Sequence, residues 1–227
     1  MKLSIIIPCF NQRNVIVETL KSLNNIPEKI DKEIILVDDR SRDDFREFLR
    51  DHISNKVNIL ALHKSKGGRT AALRTGLSQA TGEIILLLDF GVNYQPEDYL
   101  TFLKPILELN ADIVWVPYSY KTNSLPVGSF WIFFWNRFLT VYSNFFNNIN
   151  LTHFRAGGIL FNKKFFNRIV INQDRGLLEP QLLSLFVEAK SQIYEINIQH
   201  NHLAKSLSFR EYIYTFYSIL KYHLFSK

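Results

Sequence analysis

Between Leu3 and Asp89, short apolar runs alternate with segments whose apolar residues recur every three or four positions. Leu3 to Ile7, closed by Pro8, is rich in β-branched residues on both faces and reads as a buried strand. Val15, Ile16, Leu20 and Leu23 then follow at helical spacing. Glu33 to Val37 forms a second buried strand that ends at Asp38-Asp39. Ser41 and Asp44 fit a capping box for a helix carrying Phe45, Phe48, Leu49 and Ile53. Val57 to Leu62 is a third strand. Gly67-Gly68 breaks the chain before a helix with Ala72, Leu73, Gly76, Leu77 and Ala80. Thr81-Gly82 ends that helix, and Ile84 to Leu88 is a fourth strand delivering Asp89. Such alternation predicts an α/β domain with a parallel sheet covered by helices. In open sheets of this kind, ligands sit beyond the carboxyl ends of the strands. Asp38-Asp39, the Lys66-Gly67-Gly68-Arg69 turn and Asp89 all fall at such ends.

The rest of the chain is read with less regularity. Tyr99 to Leu109 predicts a helix, Ile113 to Val116 a strand, Glu179 to Ala189 a helix and Ile193 to Ile198 a strand. Between them lies an aromatic segment from Phe130 to Phe146. At the end, Phe209, Ile213, Phe216, Leu220 and Leu224 step by three and four, the pattern of an amphipathic helix. A length of 227 residues and a hydrophobic fraction of 47% suit one domain with a sizeable core. The single cysteine, Cys9, excludes an intramolecular disulfide and fits a reducing compartment. The N-terminus lacks the features of a secretory signal. The nearest approach to a spanning segment, Phe130 to Trp135, is interrupted by Asn136-Arg137, so the expectation is a protein that does not cross a membrane. A net charge of +6 favours anionic partners, or is simply a solvated basic surface.

Five stretches in order carry a resemblance. Ser4 to Gln12 (SIIIPCFNQ) is similar to an opening "S-hydrophobic-IP-x-(Y/F)-N-E", Val37 to Ser41 to "VDDGS", and Gly68 to Leu77 to "GKGAALRTGL". Ala80 to Asp89 resembles "ATGDIILFLD", and Pro96-Glu97-Asp98 the proline and acids that follow it. Together they resemble the family 2 glycosyltransferases. More loosely, Gly158 to Lys163 and Glu195 to His200, with Lys205-Ser206, resemble the polyprenyl-phosphate (dolichol-phosphate-type) branch, so that the likeness covers about residues 3 to 206. It implies a GT-A-like fold, with a glycosyltransferase domain over 1–206 and a C-terminal amphipathic helix over 207–227.

The resemblance implies transfer of a sugar from a nucleoside-diphosphate sugar, usually with inversion, to a lipid phosphate or glycan acceptor. On the matching positions, Pro8, Phe10, Asn11, Asp38 and Asp39 would hold the nucleoside, and Lys66, Gly68, Arg69 and Asp89 the diphosphate side. The family's metal-binding Asp-x-Asp is here Asp89-Phe90-Gly91, with Asn93 two positions on. Asp89 and Asn93 make a poor set for Mg²⁺ or Mn²⁺, which favour charged oxygens. Gln12 replaces a glutamate, Thr70 a glycine, and Phe154 an aspartate. Two readings follow. Either Lys66, Arg69, Arg155, His200 and Lys205 compensate the diphosphate without a tightly held metal, or the chain is a catalytically silent homologue acting as a scaffold in polysaccharide synthesis.

His200 and His202 could face one side of a strand, but no third ligand lies near them in sequence. His153 reads as a solvated loop residue. The aromatic segment and the C-terminal helix, with Lys221, His223 and Lys227 nearby, suit a membrane surface, core packing or a homodimer contact. No nucleic-acid-binding motif is present. The expected location is cytoplasmic, on the inner face of the membrane.

Overall fold

A computed structural model describes residues 1–11, 13–41, 45, 47–48, 57–61, 68–89, 92, 94–118, 130–168, 178–198 and 209–225. Its elements run β1 (Lys2–Cys9), α1 (Arg13–Asn24), β2 (Asp31–Asp38), β3 (Val57–Ala61), α2 (Arg69–Gln79), β4 (Ile84–Leu88), α3 (Pro96–Glu108) and β5 (Ile113–Pro117). Then come α4 (Phe130–Asn147), β6 (Ala156–Asn162), a 3₁₀ turn (Lys163–Arg168), α5 (Leu178–Glu188), β7 (Ile193–Glu195) and α6 (Phe209–Phe225).

The seven strands form one sheet in the order β3-β2-β1-β4-β6-β5-β7. β1 pairs in parallel with β2 and β4, and β2 with β3. β6 runs antiparallel to both of its neighbours, β4 and β5. β5 and β7 pair in parallel, so β6 alone opposes the common direction. The predicted strands are found, although the one expected over 193–198 stops at Glu195.

Alternate residues of each buried strand feed two cores. Leu3, Ile5, Ile7, Leu86 and Val114 meet α1 and α3 through Ile16, Leu20 and Phe102. Ile6, Ile35, Val37, Ile85 and Trp115 meet α2 and α5 through Leu73, Leu77, Leu182 and Phe186. Because both faces are covered, the strand sequences are apolar without alternation. At Gly76 an added Cβ would stand 2.3 Å from Ile6 Cγ2; glycine is what lets α2 lie this close on β1.

The aromatic segment is helix α4, and it packs with α6 in a third, smaller cluster of Leu139, Phe154, Tyr212 and Ile219. The C-terminal helix exists as expected, but its stripe is displaced. Tyr212, Thr215, Ser218 and Ile219 are buried, Phe216 and Leu220 are half-buried, and Phe209 and Ile213 are exposed. The helix is apolar around most of its circumference, so spacing alone does not select the face that packs.

At the amino ends of the strands, a polar knot ties β1, β2 and the α2–β4 turn. Glu33 accepts hydrogen bonds from the Ser4 hydroxyl, from the backbone N–H of Thr81 at 2.6 Å and of Gly82 at 3.2 Å, and from the Thr81 hydroxyl at 2.9 Å. Lys2 lies 3.0 Å away as its counter-ion. Burial by itself would raise the Glu33 pKa, but these donors outweigh it and lower it to about 2.

Candidate functional site

The carboxyl ends of β1, β2, β4 and β5 and the amino end of β6 converge on one edge of the sheet. At β2 the chain leaves the strand through two acids with different surroundings. Asp38 is fully buried, and its Oδ1 accepts the Ser41 N–H at 3.0 Å. That bond closes the turn that follows the strand. Asp39 instead reaches across the edge: Oδ2 accepts the N–H of Gly68 at 2.6 Å. Its Oδ1 is buried and, among the described residues, has no hydrogen-bond partner.

Gly68 has φ 109°, a conformation open to glycine and strained for other residues. It sets the angle at which α2 begins, with the helix N-terminus aimed at the strand ends. Pro8 is buried within β1 opposite Val37. Phe10 and Asn11 are exposed beyond it, Asn11 at φ 51° with its N–H donating to Ser41 Oγ at 2.8 Å.

Arg69, the first residue of α2, is the centre of a charged cluster. Its Nε lies 3.1 Å from Asp89 Oδ1, and one terminal nitrogen donates to both oxygens of Glu179 at 3.1 Å. Burial works against the charge of Arg69, but Asp89 and then Glu179 more than offset it and raise the guanidinium pKa above its ordinary value. The second oxygen of Asp89 accepts a hydrogen bond from the Tyr118 hydroxyl. Burial, and after it the Asp89 charge, raise the Tyr118 pKa far above the ordinary phenol value, so it acts as a donor. β6 completes the cluster. The Asp89 N–H donates to the Gly157 carbonyl at 2.8 Å, and the buried Arg155 guanidinium sits 5.0 Å over the Tyr118 ring.

Beside Tyr118 opens a cavity of about 310 Å³ between α4 and the approach to β6, lined by Ile132, Phe133, Arg137, Thr140 and His153 among others. His153 corrects the expectation of a solvated loop residue. It is buried, stacks on Phe154 at 5.4 Å, and its Nδ1 accepts the Arg155 N–H at 3.0 Å. Burial first, and then the charge of Arg155, lower its pKa to about 4, so the ring is neutral at pH 7. A loop joining two packed elements can be as enclosed as they are, and sequence position does not reveal that.

The structure therefore brings Asp39, Gly68, Arg69 and Asp89 to one edge, with Arg155 behind Tyr118. Lys66, Asn93, His200, His202 and Lys205 lie outside the described residues, as do Phe90 and Gly91. Two members of the cluster, Glu179 and Tyr118, are absent from the sequence-based site. Glu179 carried a signal: it shares one helical face with Leu182, Leu183 and Phe186, and a carboxylate on a buried stripe calls for a buried cation. Tyr118 directly follows β5 and carried none.

The described residues fit a divalent cation poorly. Asp89 has one oxygen on Arg69 and the other on Tyr118, and no group of three His, Cys, Asp or Glu among the described residues could hold a metal.

A family model described as glycosyl transferase family 2 matches residues 4–170. The chain is similar to the undecaprenyl-phosphate 4-deoxy-4-formamido-L-arabinose transferase of Pseudomonas syringae pv. syringae (strain B728a), with 24% identity over 214 residues, covering 88% of this chain and 58% of that protein. It is also similar to the dolichol-phosphate mannosyltransferase of Pyrococcus furiosus, 32% identical over 99 residues that make up 43% of this chain and 28% of that one. The matched part thus spans little more than half of the first relative and less of the second. Among solved structures, glucosyl-3-phosphoglycerate synthase from Mycobacterium tuberculosis, in complex with Mn²⁺, uridine diphosphate and phosphoglyceric acid, superposes with a TM-score of 0.76. The match covers 98% of this chain and 78% of that one at 14% identity, a likeness of fold.

Proposed function

The chain belongs to glycosyl transferase family 2, and from that premise we propose that it moves a sugar from a nucleoside-diphosphate sugar to a lipid-phosphate or glycan acceptor, with inversion. The observation that carries this reading is the meeting of Asp39, Gly68 and Arg69 at the strand ends, with an acceptor oxygen of Asp39 buried and unmatched among the described residues. In this reading Asp39 Oδ1 receives a hydrogen bond from the base or ribose. Pro8, Phe10 and Asn11 flank the nucleoside, and Asp38 holds the turn in place. The N-terminus of α2 and the Arg69 guanidinium face the diphosphate. As the bond from sugar to diphosphate breaks, negative charge grows on the leaving group, and a fixed cation there lowers the barrier. Lys66, Arg155, His200 and Lys205 are the further cations proposed for that side. The acceptor enters beside Tyr118, where the cavity offers Ile132 and Phe133 to an apolar chain and Arg137 to an anionic group. An acceptor phosphate is already ionised and needs no base.

Because Asp89 is engaged by Arg69 and Tyr118, donor binding should depend little on Mn²⁺ or Mg²⁺. One observation favours a second reading, a silent scaffold: two carboxylates already oppose the charge of Arg69. The test is a thermal-shift series with UDP, GDP, CDP and dTDP, with and without Mn²⁺, on the native chain and on Asp39→Ala. At least one nucleotide should bind, EDTA should change its affinity little, and Asp39→Ala should weaken it by about 1–3 kcal/mol. Binding of none overturns the donor reading. Binding without release of nucleoside diphosphate from its sugar conjugate, with a polyprenyl phosphate supplied, selects the scaffold.

A further inference from the structure

On α4 the polar and apolar faces are exchanged. Trp131, Phe134, Phe138, Val141 and Phe145 step by three and four along one side, and all are exposed, Trp131 at 66% and Phe145 at 78%. Asn136, Thr140, Ser143 and Asn147 lie on the other side and are buried. The inward groups are matched. Tyr212 donates to Asn136 Oδ1 at 3.2 Å, Thr140 accepts the Phe154 N–H at 3.3 Å, and Ser184 donates to Asn147 Oδ1 at 3.2 Å. The same holds for α6, which turns Ile213, Tyr214 and Tyr217 outward while Thr215 and Ser218 face in. α4 and α6 stack on each other through Tyr142 and Phe216, with centroids 4.6 Å apart, so their outer sides form one surface. A helix bordering water normally shows the reverse pattern, and a joined apolar surface of this kind marks a contact with something else.

Charge decides what that something is. Residues 130–147 contain no acid, and Arg137 is exposed among their aromatic side chains. On α6, Arg210 and Lys221 are exposed near the two ends, against the single acid Glu211. A second copy of the chain docking through this surface would bring two sets of these cations together with only Glu211 of each copy to offset them. Rings of Trp, Tyr and Phe bordered by Arg and Lys match the boundary between acyl chains and anionic headgroups. No helix among the described residues is long and apolar enough to cross a membrane, so the contact is with a surface. We propose that the outer faces of α4 and α6 together rest on a bilayer containing anionic lipid, with Trp131, Phe134 and Phe145 in the interface and Arg137, Arg210 and Lys221 on the headgroups. This goes beyond the donor reading and needs no nucleotide to be bound.

The experiment is co-sedimentation of the full chain with vesicles of phosphatidylcholine alone and of phosphatidylcholine mixed with phosphatidylglycerol, at low and high salt. The protein should pellet with the mixed vesicles at low salt and much less at high salt. Phe134→Ser combined with Phe145→Ser should weaken pelleting at least about tenfold, and Arg210→Glu or Lys221→Glu by roughly fivefold each. Nucleotide binding, measured on the same samples, should stay unchanged, which separates failure here from failure of the donor reading. Protein that remains in the supernatant with the mixed vesicles at low salt overturns the proposal. So does a dimer in light scattering that the double serine variant converts to monomer.

Discussion

Along β1, β2 and β4 the buried side chains are mostly Ile, Leu and Val, and the buried polar ones, Ser4, Glu33 and Asp38, lie toward the strand ends. In α4 the inward side chains are Asn, Thr and Ser, and the rings of Trp and Phe point out. The sheet gains its stability from apolar area removed from water. The α4–α6 layer is joined by aromatic stacking and by hydrogen bonds such as Tyr212 to Asn136, and it keeps much of its apolar area outside. Folding therefore explains the side chains of the first region nearly completely. Those of the second also answer to a contact outside the chain.

The largest effect that would sharpen this contrast is expected in the sheet core. Phe102, fully buried where α3 packs on the sheet, should cost about 3–5 kcal/mol when changed to alanine, read as a fall in the denaturation midpoint at constant slope. Next comes the charged cluster. Arg69→Met leaves Glu179, wholly enclosed, without its cation, and a loss of about 3 kcal/mol should follow. A change below about 1 kcal/mol would mean that Glu179 finds another partner.

At the opposite end of the strands the prediction concerns pH. The Glu33 pKa is about 2 in the folded protein against an ordinary 4.5. Its stabilisation is therefore complete above about 4.5 and disappears as the pH falls toward 2. Glu33→Gln should destabilise by on the order of 2 kcal/mol at neutral pH, and the gap to the native protein should close across that window. A constant gap would show that the knot works through shape and not charge. The smallest effect belongs to the other region. Phe145→Ala should alter stability by less than about 0.5 kcal/mol. A loss comparable to that at Phe102 would break the comparison and make α4 an ordinary core helix.

The two regions were also unequally legible. β1, β2, α2 and β4 could be read from sequence because their apolar runs are bounded by Pro8, by Asp38-Asp39, by Gly68 and by Asp89, each of which lies within a residue of a strand or helix limit in three dimensions. Asp39, Gly68, Arg69 and Asp89 could be placed together because parallel strands bring their carboxyl ends to one edge. Glu179 could not: it is 110 residues from Arg69 in the chain, and nothing local announces that α5 crosses that edge. His153 was misread because its loop is enclosed by α4 and β6. The C-terminal stripe was displaced because α6 has apolar residues on nearly every side, and the packing partner, not the spacing, chose Tyr212 and Ile219.

β6 lies between β4 and β5 in the sheet although it follows both in the chain. β5 pairs with β6 and β7, and both are made later. On a ribosome, then, residues up to Pro117 can assemble four parallel strands, but β5 must wait. The free edge of β4 stays open until residues 156–162 insert. Such open edges recruit foreign strands. A fragment ending before Ala156 would be no smaller version of this protein: it would be a half-built sheet with Asp89 at an unfinished seam, prone to pair with its own copies.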